Sequence, residues 1–109
     1  MGCTLSQADG YYVLKVSDSV HFDTAKEFSD CLKEAAEKKV PKLLVDLSQA
    51  DIIYSSGLTD IVGCYTRLKA SGGRLIIVSP SENVGKLLRL LGLDKVLTIA
   101  ETMEEAVKA

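Results

Sequence analysis

Two short runs are apolar almost without interruption, and they constrain this chain more than any other feature. Leu43, Leu44 and Val45 lead into Asp46 and Leu47, and Leu75, Ile76, Ile77 and Val78 follow about thirty residues later. A strand with one wet face alternates polar and apolar residues, whereas a strand covered on both faces reads as a continuous apolar run. Residues 42–47 and 74–78 are therefore expected as strands in a sheet covered by helices. Between them Leu58, Ile61, Val62, Tyr65 and Leu68 recur at offsets of three and four, the stripe of an amphipathic helix.

The alternation extends in both directions. Asp9-Gly10 is a two-residue turn signal, and the strand-rich Tyr11-Tyr12-Val13-Leu14-Lys15-Val16 comes after it, so the chain is expected to begin with a hairpin. Thr24-x-x-Glu27 has the form of a capping box. Ala25, Phe28, Leu32, Ala35 and Ala36 make the stripe of the helix it would open, and Pro41 ends it. After the fourth strand, Ser79-Pro80-Ser81-Glu82 is a helix start, with Val84, Leu87, Leu88 and Leu91 as the stripe and Gly92 as the stop. Gly85 inside that helix suggests a loose or closely approached first turn. Residues 96–99 are expected as a short last strand. Thr102-x-x-Glu105 caps a final helix carrying Met103, Ala106 and Val107. The expected order is β-β-α-β-α-β-α-β-α, an α/β fold with a mixed sheet and right-handed crossovers between parallel strands.

Residues 1–109 form one domain by this reading, too short for two. The chain is 47% hydrophobic and 26% charged, enough to bury a core. A formal net charge of -2 gives no electrostatic basis for nucleic-acid binding. No run approaches a membrane span and no signal peptide is visible, so a cytoplasmic protein is expected. Cys3, Cys31 and Cys64 are odd in number and widely spaced. They read as free thiols, with Cys31 and Cys64 as small core residues. One histidine and no Cys-x-x-Cys leave no metal cluster. Met1-Gly2-Cys3-Thr4-Leu5-Ser6 fits a lipidation pattern. Because it leads straight into a hairpin, a first strand without lipid is the favoured reading.

Enzymatic readings fare poorly. A serine nucleophile needs a base, and only His21 could serve, with nothing to place it beside Ser55 or Ser56. Phosphate-cradling and dinucleotide fingerprints are absent, so no cofactor is expected. Asp46, ending a strand, is expected to tie down the following loop rather than bind metal. The Ser55-Ser56 doublet opens a helix, where hydroxyls commonly cap. In the doublet one hydroxyl can cap while the other stays exposed, and Gly57 removes a side chain that would shield it. A phosphate there would meet the positive end of the helix dipole.

Residues 43–48 followed by Ile53-Tyr54-Ser55-Ser56-Gly57-Leu58 resemble the signature of the STAS domain family, and more narrowly the bacterial anti-sigma factor antagonists. Gly72-Gly73-Arg74-Leu75, the 84–93 helix and Thr102-x-x-Glu105-Ala106 extend the resemblance over nearly the whole chain. It implies a mixed sheet with about four helices packed mainly on one side. It also implies a non-enzymatic module that binds an anti-sigma factor, often a serine kinase, frees the sigma factor it holds and so regulates transcription. By position the phosphoacceptor would be Ser56, phosphorylated by the kinase and reset by a phosphatase. The implied partner interface comprises His21, Asp23, Tyr54, Ser55, Ser56, Gly57 and Thr59. Two positions depart from the pattern. Tyr54 stands where the family usually has aspartate two residues before the acceptor, and a second acidic position is His21 or is displaced to Asp23. Tyr54 and His21 would make a less acidic, more aromatic docking surface; alternatively Tyr54 packs over the loop and His21 lies at the surface. The resemblance also admits an accessory STAS subunit of a membrane transport or signalling complex, never phosphorylated, and a weaker reading of nucleotide binding near Ser56.

Overall fold

The computed structural model describes residues 3–17, 19–20 and 24–109. The lipidation pattern at Met1-Gly2, together with His21 and Asp23, lies outside the described residues. The elements are β1 (Cys3–Ala8), β2 (Tyr11–Val16), α1 (Ala25–Glu37), β3 (Lys42–Asp46), α2 (Ser55–Ala70), β4 (Arg74–Val78), α3 (Glu82–Leu90), β5 (Thr98–Ala100) and α4 (Met103–Lys108). This is the order expected from the sequence.

The sheet runs β1-β2-β3-β4-β5 in space. The β1–β2 hairpin is antiparallel and closes through the two-residue turn, with Ala8 opposite Tyr11 and Gly10 carrying the positive φ of +86°. The remaining pairs are parallel. Each new strand is added on the same side of its predecessor. Right-handed crossovers then put each connecting helix on the same face, so α1, α2 and α3 form one layer.

That layer meets Leu14 and Val16 of β2, Leu43 and Val45 of β3, and Leu75 and Ile77 of β4. Phe28 and Leu32 of α1, Ile61 and Leu68 of α2, and Val84 and Leu88 of α3 fill it from the helix side. The intervening residues Leu44, Ile76 and Val78 point to the other face, where Ala106 of α4 covers them. Both central strands are thus buried on two sides, which explains their unbroken apolar runs. Lys42 Nζ donates to the carbonyls of Val107 and Ala109 at 2.7 and 2.8 Å, and Arg74 donates to Ala109 O at 2.7 Å. Two cations at the end of a helix suit the negative pole of its dipole. Desolvation and the neighbouring Arg74 charge draw Lys42 below the ordinary lysine pKa.

Several local expectations are corrected. Thr24 occupies the N-cap position of α1 without a side-chain cap; its hydroxyl donates to Ser19 O at 2.8 Å instead. A side-chain cap of the expected kind forms at α4, where Thr102 accepts from the Glu105 N–H at 3.1 Å. The last strand begins at Thr98, because residues 93–95 form a single 3₁₀ turn after Gly92, whose φ is +73°. Leu91, expected in the buried stripe, is exposed. A Cβ on Gly85 would meet only Arg89 Nη1 at 3.5 Å and Pro80 Cγ at 4.0 Å, so no close approach requires that glycine. Cys31 is half-buried, whereas Cys3 joins Cys64 in the core.

Candidate functional site

The site is built from loops at the carboxyl ends of the parallel strands. Asp46, the last residue of β3, ties down the turn beyond it: Oδ1 accepts from the Ser48 N–H at 3.0 Å and the Ser48 hydroxyl at 2.8 Å. This is the loop-anchoring role expected of it. The chain is then held from below by Ser81, which donates to Ala50 O at 2.7 Å while capping α3 through the Val84 N–H. Asn83 adds a bond to Asp51 at 3.1 Å.

From there the loop zips onto the segment after β2. Val20 and Ile53 form a parallel bridge. The Val20 N–H donates to Ile52 O at 2.8 Å, and the Tyr54 N–H donates to Val20 O at 2.9 Å. Ser19 accepts the Ile52 N–H at 3.1 Å. Two loops distant in sequence thus become one short ladder that delivers the chain into α2.

The start of α2 differs from the sequence expectation. The N-cap residue is Tyr54, in extended conformation and without a side-chain cap; its carbonyl accepts from Gly57 N–H at 2.9 Å and Leu58 N–H at 3.2 Å. Neither serine is therefore the cap. Ser55 and Ser56 are the first two helical residues, both exposed. Their hydroxyls and their backbone N–H groups have no partner among the described residues. The first turn of α2 holds no acidic residue, whereas α1, α3 and α4 each carry at least one there. The positive end of this dipole, with two free donors beside two free hydroxyls, has no negative group of its own helix to complement it.

Gly57 serves a different purpose from the one expected. It is buried, and a Cβ there would lie 2.9 Å from Ile53 Cγ1 and 3.1 Å from Val20 Cγ1. Glycine lets the first turn of α2 settle directly on the Val20–Ile53 bridge; it does not unshield a serine. Thr59 turns its hydroxyl back to Ser55 O at 3.0 Å.

The structure brings Tyr54, Ser55, Ser56, Gly57 and Thr59 together on one turn. Tyr54 is half exposed, as is its neighbour Ile52. One part of the surface was missed by the sequence reading. An open groove of about 280 Å³ lies beside Ser55, lined by Leu58, Thr59, Val62, Leu91 and Leu93. Its signal was Leu91, a leucine in register with a buried stripe but exposed as the C-cap residue of α3. Among the described residues no group of three or more His, Cys, Asp or Glu side chains could hold a metal ion. No helix among them is long and apolar enough to cross a membrane.

Comparison with known proteins agrees with this architecture. The chain is 30% identical over 101 residues to a Thermotoga maritima protein named for anti-sigma factor antagonism, covering 92% of this chain and 89% of that one. It is 26% identical over 96 residues to an anti-sigma-B factor antagonist of Staphylococcus epidermidis, covering 88% and 89% of the two chains. A Thermotoga maritima crystal structure, likewise named for anti-sigma factor antagonism, superposes with a TM-score of 0.89 at 27% identity over 97% of this chain and 92% of that one. The family model for the STAS domain matches residues 3–106; with its sheet order, bridged loops and serine-bearing helix start, the chain belongs to the STAS domain family.

Proposed function

We propose that this protein is an anti-sigma factor antagonist whose docking surface is the start of α2 and whose switch is phosphorylation of Ser56. The observation that carries the reading is the α2 N-terminus. Two exposed serines stand there beside unpaired amides, in a first turn with no acidic residue. A phosphate on Ser56 would bring about -1.5 to -2 charges at neutral pH. Free N–H groups and the helix dipole would receive that charge locally without unfolding the domain. The cost falls on the partner instead, because Tyr54, Ile52 and the apolar groove beside Ser55 border the same turn. A doubly charged group at the centre of that contact repels or strands whatever docks there.

The names of the relatives support an anti-sigma factor as the partner, and a serine kinase with an opposing phosphatase would drive the cycle in the cytoplasm. His21 and Asp23 are proposed as further contacts from the segment that continues past Val20. The experiment uses the purified chain and its cognate anti-sigma factor. Ser56→Ala is expected to bind within about threefold of wild type and to resist release by kinase and ATP. Ser56→Asp is expected to lose at least about tenfold in affinity, as a charge placed in an interface does. Loss of binding by Ser56→Ala equal to that of ATP-treated wild type would overturn the switch. Capture of a permease or transport ATPase subunit, with no phosphate on the bait, would favour the accessory-subunit reading.

A further inference from the structure

We propose that Cys3 and Cys31 are a closable dithiol, forming under oxidation an intramolecular disulfide that staples β1 to α1. The two are 28 positions apart, yet the fold lays α1 against β1 and sets Cys3 against the turn of α1 just before Cys31. Cys3 is buried at the edge where α1 crosses the hairpin, in a crevice with Val16, Val20, Glu27 and Phe28. Cys31 lies one turn further along α1 from Glu27 and Phe28, on the same helix face. It packs against the same core cluster while staying half exposed. Each thiol lies close enough to the other to perturb its ionisation, an effect that raises Cys3 and favours the thiolate of Cys31. Cys64 sits apart, its thiol directed to Leu32 O between α1 and α2.

The arrangement assigns an order to the chemistry. Cys31 is the accessible sulfur, and the neighbouring Cys3 thiol favours its ionised form. With a small disulfide such as oxidised glutathione, the Cys31 thiolate attacks one sulfur, the reagent's S–S bond breaks, and one glutathione thiolate leaves. The Cys3 thiolate then attacks the Cys31 sulfur of the mixed disulfide, and the second glutathione thiolate leaves. Two protein thiols are oxidised by two electrons, one glutathione disulfide is reduced to two thiols, and the two cysteine protons end on the released thiolates. Burial holds both thiols above their ordinary range, and the Glu27 and Glu34 carboxylates, with Asp30 near Cys31, push the same way. Closure is accordingly slow at neutral pH and accelerates in base.

To test the pairing, the folded, reduced chain is incubated with oxidised glutathione at mildly alkaline pH, quenched with acid, and examined by intact mass and peptide mapping. The expected result is loss of two hydrogens, a single crosslinked peptide joining Cys3 to Cys31, and Cys64 still free. The rate should rise about tenfold per pH unit while both thiols are mostly protonated. Because the closed ring restricts the unfolded chain, the oxidised protein should show an unfolding constant about a hundredfold smaller than the reduced one. Cys64→Ser should close as wild type does, and Cys31→Ser should not close. A glutathione adduct persisting on Cys31, a crosslink through Cys64, an unchanged mass, or an oxidised form less stable than the reduced one would overturn the proposal.

Discussion

Gly57 and Gly63 sit two turns apart on α2 and are predicted to respond oppositely to the same substitution. At Gly57 an added methyl meets the branched carbons of Ile53 and Val20, which are themselves pinned by the bridge. Gly57→Ala should therefore destabilise by about 1–3 kcal/mol in urea unfolding, the usual cost of overpacking. At Gly63 nothing lies within 4 Å of the added carbon and the residue is exposed. Gly63→Ala should stabilise by about 0.5–1 kcal/mol through helix propensity. Cys64, next in sequence, gives a pH signature. Burial pushes its thiol from the ordinary 9.0 up to about 11, and Cys3 moves in the same direction. Between pH 9 and about 11 the unfolded chain releases protons that the folded chain keeps, so stability falls as pH rises through that window. Urea midpoints taken across it should decline, and less steeply in Cys64→Ala. The residue scale was also where the sequence was least legible. In the sequence Gly57 reads as unshielding a serine, but its requirement comes from Ile53 together with Val20, thirty-seven positions away, and no local pattern announces the bridge that joins those two.

The helices α1 and α2 show how much of an element is written locally. Their stripes place Phe28, Leu32, Ile61 and Leu68 correctly, because 3.6-residue periodicity follows from burial of one face. Their first turns were read less well. Thr24 and the serine doublet both looked like caps, yet each hydroxyl faces a choice between its own helix and a neighbouring loop. Thr24 is taken by Ser19 O, and the α2 serines fall inside the helix because the Val20–Ile53 bridge fixes where the turn begins. The uncapped start of α2 makes a prediction at this scale. Ser56→Asp should raise stability by about 0.3–1 kcal/mol at low salt through the helix dipole, with the gain shrinking as salt is added. The same variant is expected to weaken partner binding, so the two effects separate the element from its function: a mutant that lost binding merely by unfolding would lose stability as well.

For the molecule as a whole, the sheet order explains why the helices divide three to one. Successive strands added in one direction commit α1, α2 and α3, the connections between parallel strands, to a single layer, whereas α4, which joins no two of these strands, covers the opposite face. The apolar runs of β3 and β4 pointed to burial on both faces but did not fix whether helices cover one face or both, and Met103 and Ala106 carry too short a stripe to single out α4 as the second cover. Lys42 and Arg74 hold the end of α4 from neighbouring strands. Lys42→Ala is expected to cost about 1 kcal/mol and to speed amide exchange in α4 selectively, leaving the three-helix layer protected. The backbone bonds joining Val20 to Ile52 and Tyr54 bear on recognition as well. Loops that present binding residues ordinarily surrender conformational freedom when a partner arrives, and that loss subtracts from affinity. Here the Tyr54 backbone surrenders it during folding, so a partner docking as proposed would meet a surface already in shape. Association should be nearly a rigid-body event, with mutations on the turn registering chiefly in how long the complex lasts.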